Sequence, residues 1–380
     1  MAEGRARDRP ERPTRRGRRR RRVRWWGAAA IIVATLLVAE ASARAIGPNI
    51  ERTAGSEERA FLKADQMYRR SGPTDVAILG SSETAGGLVP SVIEQHAPGI
   101  DGVYNAALAG TFVDTYRAWA DQVVIPALDP KVVVISMLPM TVADIPEKDS
   151  PNYLEARAAY DSAFDQITGG QLGSIGWRLR QRSALIRYRP YLRDPATLAR
   201  GIGRTLRGEE QPTPTAGTGM DWTTETDPAV VAVNTGPDGE VYDYHQESVP
   251  TDADPLGAAL YREFSKGRFD VAELEAFVDD LRDRSITPAI LVLPVDRGPL
   301  EAGGVDLATM DGWTEQLVAW ADDEGIPIHE EFTRSWASDL FHDRNHLDEA
   351  GAQRLSETVG AWLQDECDAG DLFADCGTGS

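Results

Sequence analysis

Asp75-Val76-Ala77-Ile78-Leu79-Gly80-Ser81-Ser82-Glu83-Thr84-Ala85-Gly86-Gly87 is the stretch on which the fold of this 380-residue chain turns. Apolar residues run into a glycine, then into two hydroxyls and a set of small side chains. The pattern predicts a short buried strand that stops at a tight turn and leaves a serine at the strand's C-terminal end. In open α/β sheets, ligands bind beyond the carboxyl ends of the strands.

Working outward, Gly102–Tyr104 reads as a second short strand, followed by Asn105-Ala-Ala-Leu-Ala-Gly110-Thr111. Phe112 to Ile125 has helical spacing, with Phe112, Tyr116, Trp119 and Val123 on one face. Lys131-Val-Val-Val-Ile-Ser136 and Ala289-Ile-Leu-Val-Leu293 are β-branched or aliphatic runs that read as buried strands. Helical patterns cover Ser56–Arg70, Val271–Arg284, Leu307–Asp323 and Glu349–Leu363, and Ile326–Ile328 reads as a short strand. Strands alternating with helices predict an α/β fold, a three-layer α/β/α sandwich around a parallel sheet. The alternation stops from 145 to 267, which reads as a large insertion: helical over 153–193, then a long irregular loop over 208–257 rich in Pro, Thr, Gly and Asp. Arg178, Arg180, Arg182, Arg187, Arg189 and Arg193 make 177–193 a local basic patch. Either it is a solvated helix face or it meets an anionic membrane or glycan.

The N-terminus has its own organisation. Residues 1–24 hold twelve arginines and three acids, so the remaining 356 residues carry a formal charge of −29. That tail reads as disordered, and the acidic body argues against nucleic acid as a partner. Residues 25–46 open on Trp25-Trp26 and continue through small and aliphatic side chains, a length that spans a bilayer. The preceding arginines orient the chain with its N-terminus cytoplasmic and its body extracytoplasmic, and Glu40 is expected at the outer interface. A cleaved signal peptide ending at Ala41-Ser42-Ala43 and a buried core helix are the alternatives. Residues 47–74 then form a juxtamembrane connector, 75–366 the α/β domain, and 367–380 a flexible tail. The two cysteines, Cys367 and Cys376, either close one small loop or are free thiols.

The chemistry rests on two separated blocks. A serine hydroxyl needs a base within hydrogen-bond reach, and the base needs an orienting group. Phe341-His342-Asp343-Arg344-Asn345-His346 supplies His346 as base and Asp343, three residues earlier, as its orienter, just before the last helix. A metal reading of His342 and His346, at i, i+4 with Asp343 between them, lacks an evident third ligand. No phosphate-cradling loop, dinucleotide fingerprint or Cys/His cluster occurs, so no cofactor or metal is expected. His96, His245 and His329 have no motif around them and read as structural or surface groups.

Gly80-Ser81-Ser82 after the first strand, with D-x-x-H at Asp343 and His346, resembles the SGNH (GDSL-type) hydrolase family, as a divergent membrane-anchored member. The resemblance implies Ser82 as nucleophile, with Ser81 as the alternative, and Asp343 and His346 as its catalytic partners. It further implies that backbone N–H groups of Ser82 and Gly110 receive the oxyanion. One departure stands out: the family's third block carries an asparagine, whereas Ile135-Ser-Met-Leu-Pro-Met-Thr141 has none. The expectation is therefore a serine esterase or O-acyltransferase acting on acylated glycan or lipid of a cell envelope, fixed to the membrane through residues 25–46. The alternative is a catalytically weak binding or accessory subunit that partners an envelope-assembly protein.

Overall fold

Residue segments 30–46, 58–145, 151–168, 182–187, 202–203, 205–207, 235–242 and 261–373, with the single residues 148, 199 and 376, are described by the computed structural model. Its strands in chain order are β1 (Val76–Leu79), β2 (Val103–Asn105), β3 (Val132–Met137), β4 (Ala143–Asp144), β5 (Arg268–Phe269), β6 (Thr287–Val292) and β7 (Ile328–Glu330). Five of them form one parallel sheet in the order β2-β1-β3-β6-β7, and β4 and β5 pair as a separate antiparallel ribbon. The long strand runs are apolar because no face is wetted: every residue of β1 and β3 is buried. Strand order reverses between β1 and β3, so the two strand ends that flank the reversal open a crevice at the sheet's carboxyl edge.

Among the described residues, the helices around this sheet are α1 (Glu58–Arg69), α2 (Ser82–Gly87), α3 (Pro90–His96), α4 (Val113–Trp119), α5 (Pro151–Thr168), α6 (Ala272–Asp283), α7 (Arg297–Ala302), α8 (Leu307–Glu324) and α9 (Glu349–Ala369). Helix α4 runs on through a π turn, Ala120–Val124, into Ile125–Leu128. Pro126 has no N–H to continue the regular ladder, and the wider turn just before it absorbs the mismatch. Helix α9 lies so close to α3 that a Cβ at Gly360 would sit 2.7 Å from both His96 Cβ and Ile93 O.

Several sequence boundaries move. The turn expected after Gly80 is a short helix beginning at Ser82, β7 starts two residues later than expected, and α9 runs six residues further. The extension takes Cys367 out of the expected tail and into α9, buried, where it is bonded to Cys376. Within the insertion, α5 falls in the stretch expected to be helical. Helix α5 buries Tyr160 and Phe164, the latter stacked on Trp119 at 4.9 Å. Within the stretch read as a loop, residues 235–242 turn back on themselves through a Thr235–Val241 bridge. Most of the basic patch at 177–193 lies outside the described residues, as do residues 1–29, 47–57 and His245.

Residues 30–46 and 182–187 belong to a second compact unit. Within it Glu40, expected at a membrane interface, accepts hydrogen bonds from Ser183 Oγ (2.7 Å), Ala184 N (2.9 Å) and Leu185 N (3.0 Å) at the start of a short helix. No helix among the described residues is long and apolar enough to cross a membrane, and residues 25–29 of the expected span lie outside them.

Candidate active site

Ser82 is the first residue of α2, directly beyond the end of β1, and Ser81 is that helix's N-cap in an extended conformation. Gly80 makes the sharp exit possible. A Cβ there would sit 2.0 Å from Thr84 Oγ1 and 2.9 Å from Ser136 O, so only glycine lets β1, β3 and the first turn of α2 approach this closely.

The base loop arrives from the far end of the chain. A Phe341–Leu347 bridge closes it, His342 N donates to His346 O (2.9 Å), and Asp296 N donates to Arg344 O (2.8 Å). Asp348 then caps α9 by accepting from Gly351 N at 2.8 Å. The result is a rigid turn that brings His346 Nε2 to 2.9 Å from Ser82 Oγ, across 264 residues of sequence. His346 Nδ1 is 2.8 Å from Asp343 Oδ2, and Asp343 Oδ1 accepts from the backbone N–H groups of Asn345 (3.0 Å) and His346 (2.8 Å). Of the two serines, therefore, Ser82 faces the histidine and Ser81 serves the helix start.

Electrostatics follow from this packing. Burial alone would raise the Asp343 carboxyl, but the His346 charge and its hydrogen bonds overcome that and hold it well below the usual carboxylate range. Burial would lower His346, yet the charge and hydrogen bond of Asp343, with a smaller contribution from Glu83, outweigh it and lift His346 above its ordinary value; Arg344 opposes them. With Nδ1 committed to Asp343, Nε2 is left as the acceptor for the serine proton.

Sequence reasoning overlooked Glu83. Its Oε1 accepts from Asn345 Nδ2 at 2.7 Å and its Oε2 lies 3.4 Å from Ser82 Oγ, so it ties the serine turn to the base loop. Nothing in the pattern marks an acid next to a serine as special; only the fold brings Asn345 to it.

The stretch 105–111 is held from its carbonyl side. The buried Lys63 ammonium donates to Asn105 O (2.8 Å) and Ala107 O (2.7 Å), Trp119 Nε1 to Ala106 O (2.9 Å), Thr111 Oγ1 to Leu108 O, Tyr160 OH to Ala109 O (2.8 Å) and Tyr116 OH to Thr111 O (3.1 Å). On the other side, Ala106 N donates to Ile78 O and Leu108 N to Gly80 O, which lashes the stretch to the end of β1. Among the described residues the N–H groups of Ala109, Gly110 and Thr111 have no acceptor. Gly110 has φ +69°, a conformation that favours glycine, and open space around it. These are fixed, unengaged donors in the loop after β2, beside the strand that leads to Ser82. The 235–242 turn adds a further brace: Asn105 N donates to Asp238 O (2.8 Å), Val241 N to Ala85 O (2.8 Å), and Arg70 pairs with Asp238. Its Gly236-Pro-Asp-Gly239 core is a turn signature visible in the sequence, though not its destination.

The third-strand exit contributes no asparagine. Ser136 Oγ accepts from Thr84 Oγ1 (3.0 Å), and Met137, Leu138 and Met140 are buried. Elsewhere, His329 pairs with Glu331 (2.8 Å) and stacks on Trp362, and His96 Nδ1 lies 3.0 Å from Val92 O. Among the described residues no group of three His, Cys, Asp or Glu side chains is placed to hold a metal ion. No known family model and no curated protein matches the chain.

Proposed function

We propose that this chain is a serine-dependent ester hydrolase or O-acyltransferase of the SGNH type, with Ser82 as nucleophile, His346 as base and Asp343 as its orienter. The observation that carries the reading is the unbroken relay from Ser82 Oγ through His346 to Asp343, at 2.9 and 2.8 Å. In the reaction, Ser82 Oγ attacks an ester carbonyl while its proton passes to His346 Nε2. The carbonyl π pair moves onto oxygen, where the N–H groups of Ser82 and Gly110 receive it. Collapse breaks the bond to the leaving alkoxide, which takes the proton from His346 and leaves an acyl-Ser82. Water or a sugar hydroxyl then repeats the sequence in reverse, with His346 again holding the proton.

The same reading takes the sheet as the centre of a three-layer α/β/α sandwich: the strand order reverses, and crossovers between parallel strands are as a rule right-handed, which sends helices to opposite faces on the two sides of such a reversal. It takes residues 25–46 as a single membrane anchor with a cytoplasmic N-terminus, and the substrate as an acylated envelope glycan or lipid on the other side. A second reading, a catalytically weak subunit of an envelope-polymer assembly, draws on the third-strand exit, where Met137–Thr141 offers no side-chain amide to an oxyanion. Labelling with a serine-reactive fluorophosphonate separates the two: the enzyme is labelled at Ser82 and loses labelling in Ser82→Ala and His346→Ala, whereas a binding subunit is not labelled.

A further inference from the structure

A trans peptide points its C=O and its N–H in opposite directions, so a group that fixes the carbonyl also aims the N–H. In the loop after β2, the peptide that joins Ala109 to Gly110 is fixed in this way. Its carbonyl, Ala109 O, accepts from Tyr160 OH at 2.8 Å, and its N–H, that of Gly110, has no acceptor among the described residues. Tyr160 is buried and Gly110 is exposed, so the carbonyl is anchored in the core while the N–H belongs to a residue that solvent reaches. The serine side of the site is tied to the same loop. Leu108 N donates to Gly80 O at 2.9 Å, two residues before Ser82, and Asn105 Nδ2 donates to Thr84 O within α2 and to Leu88 O just after it, both at 2.9 Å.

Tyr160 does not come from the loops of the sheet. It stands on α5, inside the insertion at 145–267. Its ring stacks on Phe164, one helical turn on, at 6.0 Å; Phe164 stacks on Trp119 at 4.9 Å; and Trp119 Nε1 donates to Ala106 O at 2.9 Å. The hydroxyl is therefore set by a row of three rings whose far end grips the same loop. Thr111 Oγ1 on Leu108 O and Tyr116 OH on Thr111 O hold neighbouring peptides, but those peptides carry the N–H groups of Ala109 and Phe112. Tyr160 alone among these donors sits on the peptide whose N–H is that of Gly110. A carbonyl that accepts a hydrogen bond also polarises its peptide, which strengthens the N–H as a donor.

We propose that Tyr160 is a positioning residue of the Ser82 site: its hydroxyl orients and polarises the Ala109–Gly110 peptide, so that the Gly110 N–H meets the oxyanion as charge develops on it. The proposal rests on the ester-chemistry reading and gives the insertion a part in that chemistry. Tyr160 touches no substrate and transfers no proton; the serine proton still goes to His346 and from there to the leaving oxygen. Without the hydroxyl, the Gly110 N–H is a less fixed and weaker donor, and the loss falls on the transition state rather than on the binding of the ester.

The test is Tyr160→Phe in the full-length chain, which keeps the ring and its stack and removes one oxygen. Tyr153→Phe is the comparator: it lies on the same helix and loses a hydroxyl that bonds Asp114 Oδ1 at 2.6 Å, away from the Gly110 peptide. For both variants and wild type, kcat and KM for 4-nitrophenyl acetate, Ki for an alkyl trifluoromethyl ketone, and Tm are measured. Ser82 Oγ adds to the ketone carbon and its proton passes to His346, so the hemiketal oxygen carries the charge of the transition state. In Tyr160→Phe, kcat should fall about tenfold, less than the roughly 10²–10³-fold of losing a donor outright. KM should stay within about twofold, and Ki should rise in proportion to the fall in kcat/KM. Tyr153→Phe should lower Tm at least as much and keep wild-type kcat and Ki. Wild-type kcat in Tyr160→Phe overturns the proposal and leaves the Ser82 reading intact. An equal loss of kcat in Tyr153→Phe also overturns it, since the effect then belongs to the packing of α5. So does a fall in kcat with Ki unchanged, since the hydroxyl then does not act through the oxyanion. A folded wild-type protein that neither turns over ester nor binds the ketone overturns the Ser82 reading and this proposal with it.

Discussion

Gly80→Ala is the smallest change that joins the fold to the site. The added methyl would lie 2.0 Å from Thr84 Oγ1, 2.5 Å from Thr84 Cβ and 2.9 Å from Ser136 O. Rotating Thr84 relieves only the first of these. It also breaks the 3.0 Å bond from Thr84 Oγ1 to Ser136 Oγ. The other two atoms are fixed to backbone, so α2 must move away from β3 by several tenths of an ångström. Overpacking of this kind costs about 1–3 kcal/mol, and the lost hydrogen bond adds about 1 kcal/mol. The sum of about 2–4 kcal/mol lowers Tm by roughly 5–10 °C in a domain of this size. Ser82 rides on the displaced turn, and a shift approaching 1 Å costs about 10²-fold in rate. Thermal denaturation and ester turnover measured on one preparation read both effects. A Gly80→Ala protein with wild-type Tm and wild-type turnover refutes the argument that this glycine sets the serine against its base.

Asp343→Asn keeps an acceptor for the N–H groups of Asn345 and His346 but turns an amide N–H toward His346 Nδ1. The imidazole must then protonate at Nε2, where it cannot accept the serine proton, and kcat should fall about 10⁴-fold; a loss under tenfold in ester turnover contradicts the role given to Asp343. Glu83→Gln keeps an acceptor for Asn345 Nδ2 while removing a charge that lifts His346. The free base is the active form, so kcat/KM rises with pH through the His346 pKa; that limb lies above the ordinary histidine value in wild type and should move to lower pH in Glu83→Gln. Asp343 and Arg344, the other charges acting on His346, are unchanged in this variant. A limb that stays in place removes Glu83 from the electrostatics of the base.

The parts of the molecule legible in the sequence are those that local chemistry dictates. β1 and, apart from Ser136, β3 are apolar because both faces are buried, and Gly80-Ser81-Ser82 marks the strand exit because only glycine fits there. The D-x-x-H spacing was readable because one tight turn satisfies both residues. What stayed hidden depends on groups distant in sequence. Nothing in the sequence singles out Lys63, but α1 buries it against the carbonyls of Asn105 and Ala107. Glu83 acquires a role only when Asn345 arrives, and the 235–242 turn only when it reaches Asn105 and Ala85.

The central claim is that Ser82 is an activated nucleophile. Its most direct measurement is fluorophosphonate labelling of the purified protein, with the modified residue identified by peptide mass spectrometry, beside Ser82→Ala, Ser81→Ala and His346→Ala. The account predicts modification at Ser82, retained in Ser81→Ala and lost in the other two variants. A folded wild-type protein that resists labelling, or one modified at a serine other than Ser82, contradicts it.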